Sequence, residues 1–144
     1  MNKKLLSLIA VLVLASSTNS IFAQGGNTCA AAFEAPITLP FTANGSTCAA
    51  TNNYSFIGAP CINDGYLQGP DWLYYFCATS TGQVQIVLNN FNPGSPFASV
   101  SLWSGCPNAG NCVGASVTQT GTSIALNANV INGNCYYIMV DNWP

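Results

Sequence analysis

Gln83-Val84-Gln85-Ile86-Val87-Leu88 places Val84, Ile86 and Leu88 on one face of an extended chain, with Gln83 and Gln85 on the other. A period of two over six residues is the mark of a half-buried strand. Working outward, Ser99-Val100-Ser101-Leu102-Trp103 repeats the pattern with Val100 and Leu102. Leu73–Cys77 and Cys135–Val140 are nearly continuous apolar and aromatic runs. Weaker strand signals lie at Ile37–Phe41, Tyr54–Ile57, Val113–Thr118 and Ser123–Leu126. Asn44-Gly45, Asn63-Asp64-Gly65, Pro93-Gly94 and Gly133-Asn134 supply turn chemistry between them. No stretch after Gln24 carries convincing helical periodicity. The pattern predicts an all-β fold, an antiparallel β-sandwich of jelly-roll-like form.

The 144 residues contain two Lys or Arg, four Asp or Glu and no His, so charged residues make up 4% of the chain. An ordinary globular domain carries roughly 25%. Both cations, Lys3 and Lys4, precede the apolar run Leu5–Ala15, and Ala23 stands as a small residue before Gln24. This order predicts a secretory signal peptide over residues 1–23 and one domain over 24–144. The apolar run is too short to span a bilayer, which takes about 20 residues, so no membrane insertion is expected once the signal is removed. The remaining chain holds four acids and no side-chain cation, a formal charge of −4. Without His or Lys, the Ser-His-Asp, Cys-His and Schiff-base chemistries are closed. Nucleic acid is not an expected partner, because no cation is there to displace counterions from phosphates.

Cys29, Cys48, Cys61, Cys77, Cys106, Cys112 and Cys135 all follow the expected cleavage site. No two have the spacing of a zinc knuckle, and this density belongs to an oxidising, extracellular compartment. Disulfides are therefore expected, with one thiol left over. Cys106 and Cys112 flank a turn-rich loop, Cys77 and Cys135 sit at the ends of two strong strands, and Cys29 with Cys48 makes a third candidate pair. That choice leaves Cys61 odd; Cys48 with Cys61 is the alternative, since connectivity does not follow from spacing.

Asp71-Trp72-Leu73-Tyr74-Tyr75-Phe76-Cys77-Ala78-Thr79-Ser80-Thr81-Gly82 resembles the D-x-W-Y-x-F-x-A-x-x-x-G strand of bacterial pre-peptidase C-terminal-like (PPC-like) domains. Val100–Cys106, Cys112 with its following strand, Asn134–Asp141 and the opening Cys29-Ala30-Ala31-Ala32 look like the same family in the same order. The resemblance implies a secreted, non-catalytic accessory module. The sequence departs from the pattern in three ways. Trp72 stands one place early, Val113-Gly114-Ala115 replaces an acidic turn, and the chain stops at Asp141-Asn142-Trp143-Pro144, where such domains continue into a last strand. The domain is thus expected to be incomplete at its C-terminus, part of a longer secreted or cell-surface protein whose other domains are its first partners.

The carboxylates are Glu34, Asp64, Asp71 and Asp141. A glycosidase needs two of them facing one another across a sugar, and nothing in their spacing brings a pair together, so this remains a remote alternative. Asp71 and Asp141 each end a strong strand. They are candidate calcium ligands, with Asn142 and Asp64 as possible contributors; the competing expectation is that each caps a turn through its backbone. Trp103 is turned away from Val100 and Leu102 by strand alternation, which makes it the candidate for stacking on a glycan or a cell-surface protein. Trp72, Tyr74 and Phe76 share one face of one strand and are expected in the core. The expected function is an accessory or adhesion module; the alternative is a carbohydrate-binding module using Trp103.

Overall fold

The computed structural model describes residues 24–55, 60–89 and 97–142. The expected signal peptide at 1–23, the Pro93-Gly94 turn, residues 56 and 57 of one weak strand signal, and Trp143-Pro144 lie outside them.

The six strands are β1 (Trp72–Cys77), β2 (Gly82–Asn89), β3 (Ala98–Ser104), β4 (Asn111–Thr118), β5 (Ser123–Val130) and β6 (Cys135–Asn142). They form a four-stranded sheet of order β1-β6-β3-β4 and a two-stranded sheet β2-β5, antiparallel throughout. The chain leaves one sheet for the other after β1, β2, β4 and β5, and only β3–β4 is a hairpin within a sheet. The fold is thus the expected all-β sandwich. Val113–Thr118 and Ser123–Leu126 are strands, whereas Ile37–Phe41 is irregular and touches the sheet through one bond, Ile37 N–H to Tyr75 O at 2.8 Å.

Between the sheets, Phe76, Val100, Leu102, Tyr136 and Ile138 meet Ile124, Leu126, Ala128 and Val130, with Val84, Ile86 and Leu88 packed alongside. The alternation in β2 and β5 arises here, since one face of the small sheet turns to this core and the other to water.

The outer face of the large sheet is not open to solvent. Parts of the segment before β1 run across it as a second layer and contribute Ala32, Tyr54, Ile62, Tyr66 and Leu67 to a core with Leu73, Trp103 and Met139. Ile37 and Phe41 of the same segment join the core between the sheets. β3 is consequently buried on both faces from Ala98 through Trp103. Ser99 and Ser101, which alternation turns outward, lie in this layer at 0% exposure. Within it, helix α1 (Cys29–Glu34) starts at Thr28, whose Oγ1 accepts from Ala31 N–H at 3.2 Å. Six residues are too few to display a helical period, although the Ala-rich sequence favours the conformation. The Asn63-Asp64-Gly65 signal becomes a 3-10 helix, Asp64–Leu67, with Asn63 Oδ1 accepting from Gly65 N–H at 2.9 Å.

The disulfides follow from this second layer. Cys77 bonds Cys135 across the paired ends of β1 and β6. Cys29 bonds Cys106 and Cys61 bonds Cys112, which corrects the expected Cys106–Cys112 and Cys29–Cys48 pairs. Cys112 lies opposite Trp103 in the β3–β4 ladder, and Cys106 sits in the turn beyond the ladder's end. Each reaches up to the overlying layer instead of across the hairpin. Cys48, not Cys61, is the unpaired thiol, and it is exposed. We predict that the denatured, unreduced chain presents one reactive thiol, and that Cys48→Ser removes it without changing the melting temperature. A second reactive thiol would contradict this pairing.

Candidate functional site

The second layer brings together two acids that lie 70 positions apart in the chain. The β1–β6 register pairs Trp72 with Val140, and one step further along it places Asp71 opposite Asp141. On the other side of β6, Asp141 pairs with Ser99 of β3. Asp71, Asp141 and Ser99 each have 0% exposure. Ser99 Oγ donates to Tyr66 O at 3.2 Å and so fastens the 3-10 helix to the same spot.

Each carboxyl spends one oxygen on the backbone. Asp71 Oδ2 accepts from Asn53 N–H at 2.5 Å and from Tyr54 N–H at 2.9 Å. Asp141 Oδ1 accepts from Gly69 N–H at 3.2 Å and from Asn142 N–H at 2.5 Å. The remaining oxygens, Asp71 Oδ1 and Asp141 Oδ2, are buried and receive no hydrogen bond from a protein donor. They belong to carboxyls that lie opposite one another one step beyond the β1–β6 ladder. Two carboxylate oxygens can only accept, so a hydrogen bond between them requires a proton on one. Burial, followed by the hydrogen bond to Asp71 and its charge, pushes the Asp141 carboxyl up to about 9. Burial also raises Asp71, against the lowering effect of its bonds to Asp141, Asn53 and Tyr54. Both shifts favour the protonated form, so the pair keeps a proton above the ordinary carboxylate range, as expected for like charges sharing a dry site.

The calcium expectation placed the same two residues in a site, and the geometry meets it in part. Asp71 and Asp141 do come together, but only two of their oxygens remain free, against the six to eight that calcium takes. No group of three or more acids, His or Cys able to hold a metal occurs among the described residues, so Asp64 does not join them. The donor set fits a shared proton. The competing expectation, local capping, holds for Asp141 with Asn142, whereas Asp71 is bonded by residues 17 and 18 positions away.

Close approach at the pair also requires a glycine. A Cβ on Gly69 would collide with the backbone carbonyl of Asn142, and only a residue without one can carry its N–H to Asp141 there.

Trp103 is not a stacking platform. It has 0% exposure, and its Nε1–H donates to Ser101 Oγ at 2.8 Å. Alternation does turn it away from Val100 and Leu102, but that direction leads into the second core. Of the three aromatics expected in the core, Trp72 and Tyr74 remain partly accessible. They line a cleft of about 840 Å3 between the sheets, together with Phe41, Ile86 and Val140, and Asp141 and Asn142 border it. Tyr74 packs on Phe41 at a centroid distance of 5.4 Å, so of the three expected core aromatics only Phe76 is fully enclosed.

Comparison with protein-family models, with curated proteins and with solved structures finds no match.

Trp103→Ala is predicted to cost roughly 3–5 kcal/mol in denaturant unfolding, the loss expected for a large core side chain. A cost below about 0.5 kcal/mol is the behaviour of surface positions and would contradict its placement.

Proposed function

We propose that this chain is a non-catalytic accessory or adhesion module of a secreted or cell-surface bacterial protein, working beside other domains of a longer protein. The observation that carries the proposal is the use made of its acids. The two carboxyls that the fold brings together are sealed from solvent, and each commits one oxygen to backbone amides. Glu34 and Asp64 lie elsewhere, on α1 and on the 3-10 helix. A hydrolase needs its acid pair open to a substrate, and this pair is spent on holding the fold.

Three further observations support the reading. Three disulfides suit an oxidising compartment. No helix among the described residues is long and apolar enough to cross a membrane. The resemblance of Asp71–Gly82 and Asn134–Asp141 to PPC-like domains points the same way. The partner we expect is a glycan or a cell-surface protein, met by a surface that relies on Ser, Thr and Asn in place of charges. The carbohydrate-binding alternative loses its named residue, because Trp103 is buried.

Beads coated with the chain should be retained on immobilised glycans or on bacterial cells. Retention should be lost after reduction of the disulfides, and the chain should turn over no glycoside, ester or peptide substrate. Substrate turnover abolished by Asp71→Asn would overturn the proposal, as would beads that adhere to none of these surfaces.

A further inference from the structure

The Asp71–Asp141 pair joins pieces of the molecule that no strand ladder connects. Asp71 begins β1 and holds the amides of Asn53 and Tyr54 in the loop leading into the second layer. Asp141, near the end of β6, holds the amide of Gly69, where that layer ends. Thr47 Oγ1 donates to Asn142 Oδ1 at 3.4 Å at the same end. Elsewhere the layer is tied covalently to the β3–β4 turn region, through Cys29–Cys106 and Cys61–Cys112. At the β1–β6 end these polar contacts take the place of a disulfide.

We propose that the Asp71–Asp141 pair is a proton-held latch: the shared proton fastens residues 51–54 and Gly69 to the large sheet, and its removal releases them. The latch depends on the composition of the chain. Residues 24–144 contain no Lys, Arg or His, so no side-chain cation exists to neutralise a second buried carboxylate. The titratable side chains on the elements packed against the pair are Tyr54 in the loop, Asp64 and Tyr66 on the 3-10 helix, Tyr74 and Tyr75 on β1 and Tyr136 and Tyr137 on β6. None of them is a basic group. The Tyr54 hydroxyl is engaged elsewhere, accepting from Cys29 N–H at 2.6 Å. When the proton leaves, two anions face each other in a dry site, and water reaches them only if the overlying loop lifts.

The sign follows from linkage. The unfolded chain gives up carboxyl protons near about pH 4, while the folded pair keeps one well above that. The stability conferred by the latch is complete below the unfolded value and is lost progressively as the pH rises toward the folded one. The wild-type melting temperature should therefore fall by at least about 5 °C between about pH 5 and pH 9. In Asp141→Asn the amide donates permanently to Asp71, so most of this fall should disappear.

A wild-type melting temperature that stays flat over this range, or an Asp141→Asn variant that keeps the full fall, would overturn the latch. If Asp141→Asn does not fold, Asp71→Asn makes the same test from the other side. If neither folds, the wild-type amide resonances of Asn53, Tyr54 and Gly69 decide. A common alkaline midpoint absent from β4 supports the latch, and titration confined to the acid range refutes it. Repeating the melts with millimolar calcium adds a last arm. No effect is expected, whereas stabilisation that abolishes the pH dependence would replace the proton with a cation.

Discussion

Two carboxyl groups buried side by side in a span, residues 24–144, that holds no Lys, Arg or His set the terms for the rest of this molecule. An unpaired buried charge is too costly to persist, so such groups neutralise or collect hydrogen bonds. Here both occur. Four backbone amides converge on two oxygens, and burial favours the protonated form of the carboxyls that carry the other two. Three of those amides, from Asn53, Tyr54 and Gly69, belong to the segment before β1. Satisfying the acids therefore dictates where that irregular segment must run.

The path of that segment explains why the large sheet has two cores. Its inner face meets the two-stranded sheet, as in any sandwich, while its outer face is roofed by the parts of the segment before β1 that carry Ala32, Tyr54, Ile62, Tyr66 and Leu67. β3 sits under both and exposes almost nothing. Among its described residues the roof contains six helical and four 3-10 residues, so little of its stability comes from its own backbone bonds. Disulfides Cys29–Cys106 and Cys61–Cys112 hold one end of it, and the acids and Ser99 hold the other. With no salt bridge open to residues 24–144, packing, disulfides and this polar knot must carry the stability.

Much of the sheet was legible from periodicity, because β2, β3 and β5 alternate over five or more residues and β1 and β6 are continuous apolar runs. The roof was not legible, because irregular segments carry no period. Trp103 and the serines of β3 were consequently assigned to the surface, when their face is covered. Two of the three expected cysteine pairs differ for the same reason: Cys106 and Cys112 look like neighbours in sequence but are drawn apart by an overlying layer that spacing does not reveal. Cys77–Cys135 forms as expected. One signal for the site was present. Cys77 and Cys135 sit at the ends of two strong strand signals, and a bond between them requires those strands to be antiparallel neighbours. Asp71 lies six residues before the first and Asp141 six after the second. That disulfide fixes a register in which the two acids face each other, so counting outward from it was enough to find the pair. Their burial could not be read this way, since it depends on the roof.

The most direct test is a titration of the side-chain carboxyl carbons of Asp71 and Asp141 by 13C NMR. A shared, buried proton predicts that the pair titrates as a unit, with one step displaced far above the ordinary carboxylate range toward about 9. Glu34 and Asp64 serve as internal references for the same spectrum. If Asp71 and Asp141 both ionise together near about pH 4, as free carboxyls do, the account of how this fold is held together is wrong.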